Sequence, residues 1–186
     1  MELTPALAIG LFNGWILLIV EFLIEGGLLL VFPKDVVARL FDRSGWNTTQ
    51  RVFTILGKVF SLACLALIAL TPLQINASAF IVGIVLYVVG LVGLVVAMVN
   101  FKDTPLDQPV RMGVYKFSRH PQIVALSIIF VGICLAIGSW LAFFTLVLSR
   151  GLQHFGILAE EEVCLRRYGE SYRAYMARVP RYLLFF

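Results

Sequence analysis

Charge is scarce in this sequence. Lysine, arginine, aspartate and glutamate supply 14% of its 186 residues, where an ordinary soluble domain carries roughly a quarter. Cysteine is scarcer still. Cys64, Cys134 and Cys164 are odd in number and lack metal-like spacing, and two of them sit in apolar runs where cysteine behaves as a small hydrophobe. A disulfide framework and a metal site are both excluded on that count. No internal repeat and no low-complexity segment is visible. The N-terminal stretch "MELTPALAIG" lacks a basic n-region and a clear cleavage site, so the apolar run after it is taken as a retained span rather than a signal peptide. The net charge of +4 is modest. Beside so much apolar sequence it points to topology and anionic headgroups, not to nucleic acid.

Hydrophobic residues are what the chain has in abundance: 60% of the total, with a mean hydropathy of +0.93. They cluster into runs long enough to cross a bilayer. Five such runs cover about 6–32, 52–70, 77–101, 121–137 and 140–159. The expected fold is an all-α integral membrane protein. It is a bundle of five transmembrane helices with a cytoplasmic C-terminal helical tail, and residues 1–186 form one domain. The basic residues test the count. Lys34, Arg39, Arg43 and Arg51 follow the first run, and Lys102, Arg111, Lys116 and Arg119 follow the third. Arg166, Arg167, Arg173, Arg178 and Arg181 lie in the tail. The connections near 71–78 and 138–140 carry none. The positive-inside rule then puts the N-terminus outside and the C-terminus in the cytoplasm, as alternation through five spans also requires. Gly10 with Gly14, and Gly90 with Gly93, offer small residues for close helix packing.

Polar residues gather just before the fourth run and just after the fifth. The two runs are joined by almost no loop, so they should form an antiparallel hairpin that brings Arg119 and His120 back to Glu160, Glu161 and Glu162. Interface anchoring alone would account for the basic residues. It does not account for three successive carboxylates beside anionic headgroups, which need partners there. Pro121 suits the first turn of a helix and makes His120 a cap-like residue at its start. Glu21 and Glu25 lie mid-span in the first run, where carboxylates face a bundle interior or a water-filled cavity.

These residues resemble a family. "GVYKFSRHPQ", a helical hairpin, "EE" and "RYGESYRAYMARVPR" look like the isoprenylcysteine carboxyl methyltransferases and the related bacterial and archaeal phospholipid methyltransferases. The pattern falls on Gly113, Tyr115, Arg119, His120 and Pro121, then on Glu160 and Glu161, then on Tyr168, Gly169, Tyr172, Tyr175, Val179, Pro180 and Arg181. It covers about 111–182, and Glu162 leaves the register of the carboxylate pair open by one. Where the family usually has a tyrosine and a glycine after R-H-P, this chain has Gln122, Ile123 and Ala125. A tyrosine contact at 123 is therefore not carried over.

The resemblance implies methyl transfer from S-adenosylmethionine to an acceptor that partitions into the bilayer. The candidate cofactor residues are Tyr115, Arg119, His120, Pro121, Glu160, Glu161, Tyr168 and Tyr172. Glu160 or Glu161 would take the cofactor's ammonium or ribose hydroxyls. Arg119 and His120, at a helix N-terminus, would take its carboxylate. The tyrosines would wall the adenine, or would equally form the stripe of an amphipathic helix lying on the bilayer. The candidate catalytic residues are Arg119, His154 and Arg178. His154 is a base for an amine acceptor or a polar group satisfied between helices, and Arg178 or Arg181 holds an anionic acceptor or lipid headgroups. The tail pattern ranks a prenylated cysteine carboxylate first among acceptors, and a phosphatidylethanolamine-type lipid second. An NADPH-dependent membrane reductase and a small transporter are the alternatives of other classes.

Overall fold

The computed structural model describes residues 1–3 and 5–183. Its regular elements are all helical: α1 (Trp15–Val31), α2 (Lys34–Leu40), α3 (Thr48–Leu70), α4 (Ser78–Lys102), a 3₁₀ turn (Gly113–Lys116), α5 (Pro121–Ala136), α6 (Trp140–Tyr168) and α7 (Glu170–Met176). Three of them, α3, α4 and α6, are long and apolar enough to cross a membrane. At 17 and 16 residues, α1 and α5 reach only about 24–26 Å, short of the ~30 Å hydrocarbon core. Five full-length spans are thus not what the helix lengths give. The 29 residues of α6 extend about 44 Å, so its apolar part as far as residue 159 suffices to cross, and Glu160 to Tyr168 project beyond it.

The first helix starts at Trp15, well after the start expected from hydropathy. Residues 5–14 instead run across the C-terminal end of α3 and serve its open carbonyls, which a helix end would otherwise leave unpaired. Ala8 N donates to Leu70 O (2.8 Å) and Gly14 N to Thr71 O (3.0 Å). The Asn13 amide donates to Ala8 O and Ala69 O. A Cβ on Gly14 would lie 2.6 Å from Ile68 O. Gly14 therefore permits this crossing, and the Gly10–Gly14 pair is not a helix–helix motif.

The helices pack as two pairs, α4 along α5 and α3 along α6. Glycine sets both distances. A Cβ on Gly83 would lie 2.5 Å from Gly132 O, and one on Gly132 would lie 2.6 Å from Gly83 O, so the α4 and α5 backbones touch, as small residues allow in membrane bundles. In the other pair Ser149 Oγ donates to Gly57 O (2.9 Å) and meets Ser61 Oγ at 2.7 Å. The Tyr87 hydroxyl donates to Leu17 O and ties α1 to α4. Ile129, Ile133 and Ile137 are fully buried, while Val82, Val85, Val89 and Val92 of α4 stay exposed. An apolar outer face of that kind suits lipid.

The expected hairpin is present but splayed. Gly138, at φ +66°, makes the turn that L side chains adopt poorly. Because α5 follows α4 and α6 follows α3, α5 and α6 share only a small interface. The space they leave is a cavity.

Candidate active site

A buried carboxylate organises the open end of the hairpin, where α6 returns to the start of α5. Glu161, on the projecting part of α6, accepts from Arg119 Nε at 2.8 Å. It also accepts from Arg181 Nε at 3.1 Å to each oxygen and from Arg181 Nη2 at 2.8 Å. His120 Nε2 lies 3.3 Å away. The Arg119 and Glu161 side chains are 3% and 4% exposed. Burial alone would raise the Glu161 carboxyl, but the hydrogen bonds from His120 and Arg181 and the Arg119 charge outweigh it and hold it at about 2. Arg119 also donates through Nη1 to Met176 O and Val179 O. Its backbone N–H reaches Pro180 O at 2.9 Å, and Ser118 Oγ donates to Arg181 O at 2.8 Å. The tail beyond α7 is thus stitched to the start of α5.

Above this knot lies the cavity, about 1230 Å³, more than a single drug-sized ligand usually fills. Its lining includes Tyr115, His120, Glu160, Tyr168 and Tyr172 together with apolar residues of α4, α5 and α6 such as Met98, Leu126 and Ile157. Burial among protein raises the Glu160 carboxyl above its ordinary value, although 45% of its side chain still faces the cavity. Gln122 lines this space, and its buried Nε2 has no hydrogen-bond partner. His154 Nδ1 pairs with the Tyr182 hydroxyl at 2.8 Å. Arg39 closes one side. It donates to the carbonyls of Thr104, Pro105 and Gln108 and lies over the rings of Phe101 and Tyr168. Among the described residues no cluster of His, Cys, Asp and Glu is placed to hold a metal ion.

Residues 73–171 match the family described as phospholipid methyltransferase. That is more than half of the 186-residue chain. The chain belongs to the phospholipid methyltransferase family. Neither a curated protein nor a solved structure matches it.

The matched segment of this membrane methyltransferase holds α4, α5 and α6, and with them Tyr115, Arg119, His120, Pro121, His154, Glu160, Glu161 and Tyr168. The structure divides these residues between two tasks. Tyr115, His120, Glu160, Tyr168 and, from the tail, Tyr172 line the cavity. Glu161 is not among the lining residues, and both of its oxygens are taken. Arg119 reaches the cavity, yet most of its guanidinium serves Glu161 and backbone carbonyls. His120 precedes α5 without a side-chain cap bond; its ring turns instead to Glu161 and, at 3.9 Å, to Glu160. Pro121 opens α5 as expected for a first-turn proline. Arg178 is exposed and outside the cavity lining. Arg181, three residues on and marked by the V-P-R end of the tail pattern, is also outside that lining and bonds Glu161. Tyr175 donates its hydroxyl to Tyr115 O at 2.7 Å, and Tyr182 was not foreseen at all, since nothing in the sequence pairs it with a histidine 28 residues earlier.

Proposed function

We propose that this chain transfers a methyl group from S-adenosylmethionine to an acceptor dissolved in the bilayer. The observation that carries the reading is one cavity whose lining combines cofactor-type polar and aromatic residues with apolar residues of α4, α5 and α6. The residues present suit the cofactor. The Glu160 carboxylate faces the cavity for its ammonium or hydroxyls, the His120 ring and the unpartnered Gln122 amide offer polar contacts, and Tyr115, Tyr168 and Tyr172 supply walls for a flat base. When bound, it supplies an electrophilic methyl on a sulfonium. The chain's part is to hold that centre in line with the acceptor and to keep water out. Arg119 and Glu161 act as positioning residues that keep the tail and His120 in place.

The acceptor reading we favour is an amine-headgroup phospholipid. An ammonium must lose a proton before it attacks, and His154, held at Nδ1 by Tyr182, lines the cavity as the base for it. A prenylated cysteine carboxylate is the second reading, supported by the tail pattern; it is already ionised and would need alignment alone. We further propose that α1 and α5 cross the bilayer despite their length, the membrane thinning around them, and that residues 1–186 work as one unit. The N-terminus would then lie outside and the cavity mouth in the cytoplasm.

The test is calorimetric titration of detergent-purified protein with S-adenosylmethionine and, separately, NADPH, using His120→Ala and Glu160→Ala as controls. Micromolar binding of the methyl donor, lost in both variants, is the expected result, followed by methyl transfer to phosphatidylethanolamine in preference to a prenylcysteine. Binding of NADPH instead would move the protein to reductase chemistry and overturn the proposal. C-terminal reporter fusions check the topology.

A further inference from the structure

A recess opens off the main cavity where the loop after α2 meets the first turns of α3. It holds about 220 Å³ and is lined by Arg43, Trp46, Arg51, Thr54, Ile55 and Lys58. Arg43, Trp46, Thr54 and Lys58 line the main cavity too, so the two spaces are neighbours that share these side chains. Three cations surround the recess, and none of them is salt-bridged to a carboxylate among the described residues. Trp46 is only 8% exposed, yet its indole Nε1 has no hydrogen-bond partner, and neither has the buried Thr54 Oγ1. Buried donors without partners are rare and costly, and here two of them sit in a cationic pocket. Gly156 of α6 lets both side chains pack close to its backbone, since a Cβ there would lie 2.8 Å from Thr54 Oγ1 and 3.2 Å from the Trp46 ring.

Arg51 Nε donates to Trp46 O at 3.1 Å, which leaves Arg43 and Lys58 with the two unpartnered donors; positive charge beside donors of that kind describes a site for an anion. We infer that the recess formed by Arg43, Trp46, Thr54 and Lys58 binds the phosphate of a glycerophospholipid whose headgroup reaches into the main cavity. The site's depth fits, since Arg43 lies in the basic loop and Lys58 only a few turns into α3, the level of lipid phosphates if that loop is cytoplasmic. The chemistry also separates the two acceptors. In a prenylated cysteine the only anion is the reacting carboxylate, whereas a phospholipid carries a second anion apart from its amine. This inference rests on the acceptor reading above and assigns it a binding residue set.

Binding, not turnover, tests it. Full-length protein in detergent is titrated with dihexanoyl phosphatidylethanolamine, with dihexanoylglycerol as the same chains without phosphate, and with inorganic phosphate. The variants are Lys58→Met, Trp46→Phe (which removes only the N–H donor and the fused ring) and Lys58→Arg, with melting temperature as the check on folding. Hydrogen bonds to a charged group of this kind are worth about tenfold in affinity or more. Phosphatidylethanolamine affinity should therefore fall at least about tenfold in Lys58→Met, fall in Trp46→Phe, and return in Lys58→Arg. Dihexanoylglycerol and S-adenosylmethionine affinities should not move. Equal phosphatidylethanolamine affinity in wild type and Lys58→Met overturns the proposal, and so does a loss confined to S-adenosylmethionine, which would give the recess to the cofactor. A Lys58-dependent site that takes inorganic phosphate but not the lipid overturns the lipid assignment. Lys58-dependent lipid binding without any methyl transfer would leave the recess standing and sink the function proposed above.

Discussion

Replacing Glu161 with glutamine keeps the shape of the side chain and removes the charge that three donors share. Arg119 and Arg181 both bond this carboxylate, His120 lies 3.3 Å from it, and Arg119 is almost completely buried. Breaking a buried ion pair by neutralising one partner costs about 3–5 kcal/mol. The titration of Glu161 gives a concordant figure, since a fall from the ordinary 4.5 to about 2 corresponds to roughly 3 kcal/mol at neutral pH. What is lost is the docking of the tail, whose backbone bonds to Arg119 and His120 depend on the guanidinium beneath them. The assay is hydrogen exchange at the Arg119 and His120 amides, with tryptic cleavage after Arg178 as a second readout, in detergent at constant salt. At roughly 3 kcal/mol, exchange at neutral pH should rise about a hundredfold in Glu161→Gln. The pH dependence has a defined sign. A carboxyl depressed in the folded state stabilises fully above about pH 4.5 and progressively less as pH falls toward about 2. Tail release in the wild type should therefore increase across that window, while the variant stays at its already high level. Equal exchange in the two proteins at neutral pH, or a wild-type tail indifferent to acid, would refute the reasoning.

His154→Ala should lower kcat on an amine acceptor by about 10²–10⁴-fold and leave S-adenosylmethionine affinity unchanged, a split read by steady-state kinetics beside calorimetry. Tyr175→Phe removes the 2.7 Å bond to Tyr115 O and should destabilise the tail by about 1–2 kcal/mol, seen as earlier melting. Gly132→Ala pushes a methyl against the Gly83 carbonyl and Tyr87 N. It should cost about 1–3 kcal/mol as the α4–α5 pair is forced apart, measured by thermal unfolding in detergent.

The helical runs, the charged loops and the cluster spaced across the hairpin are local or pairwise patterns, and hydropathy, basic residues and motif spacing carry them directly. Arg119 near Glu161 followed from chain reversal alone, because a turn of a few residues forces the two ends together. Which carboxylate faces the cavity did not follow. Glu160 and Glu161 are adjacent on one helix, and about 100° of rotation separates them. Only the packing of α6 on α3 determines that Glu161 turns into the arginine knot and Glu160 toward open space. The start of α1 was hidden for a similar reason. Residues 5–14 are apolar enough for a span, but they bond the end of α3, a contact whose partner lies more than fifty residues away.

Arg178 and Arg181 show the same division. Both sit in one basic tail three residues apart, and only Arg181 falls on the V-P-R pattern. One bonds Glu161 and the other stays in solvent because α7 ends at Met176 and the chain beyond it is pinned by backbone bonds to Arg119 and His120. By itself the sequence determined that this chain is helical and apolar and that it carries a methyltransferase motif at one end of a hairpin. The tertiary structure decided that the hairpin splays, because glycines draw α5 onto α4 and small and polar residues draw α6 onto α3. Close packing within each pair leaves the space between them open, and that space holds the cavity.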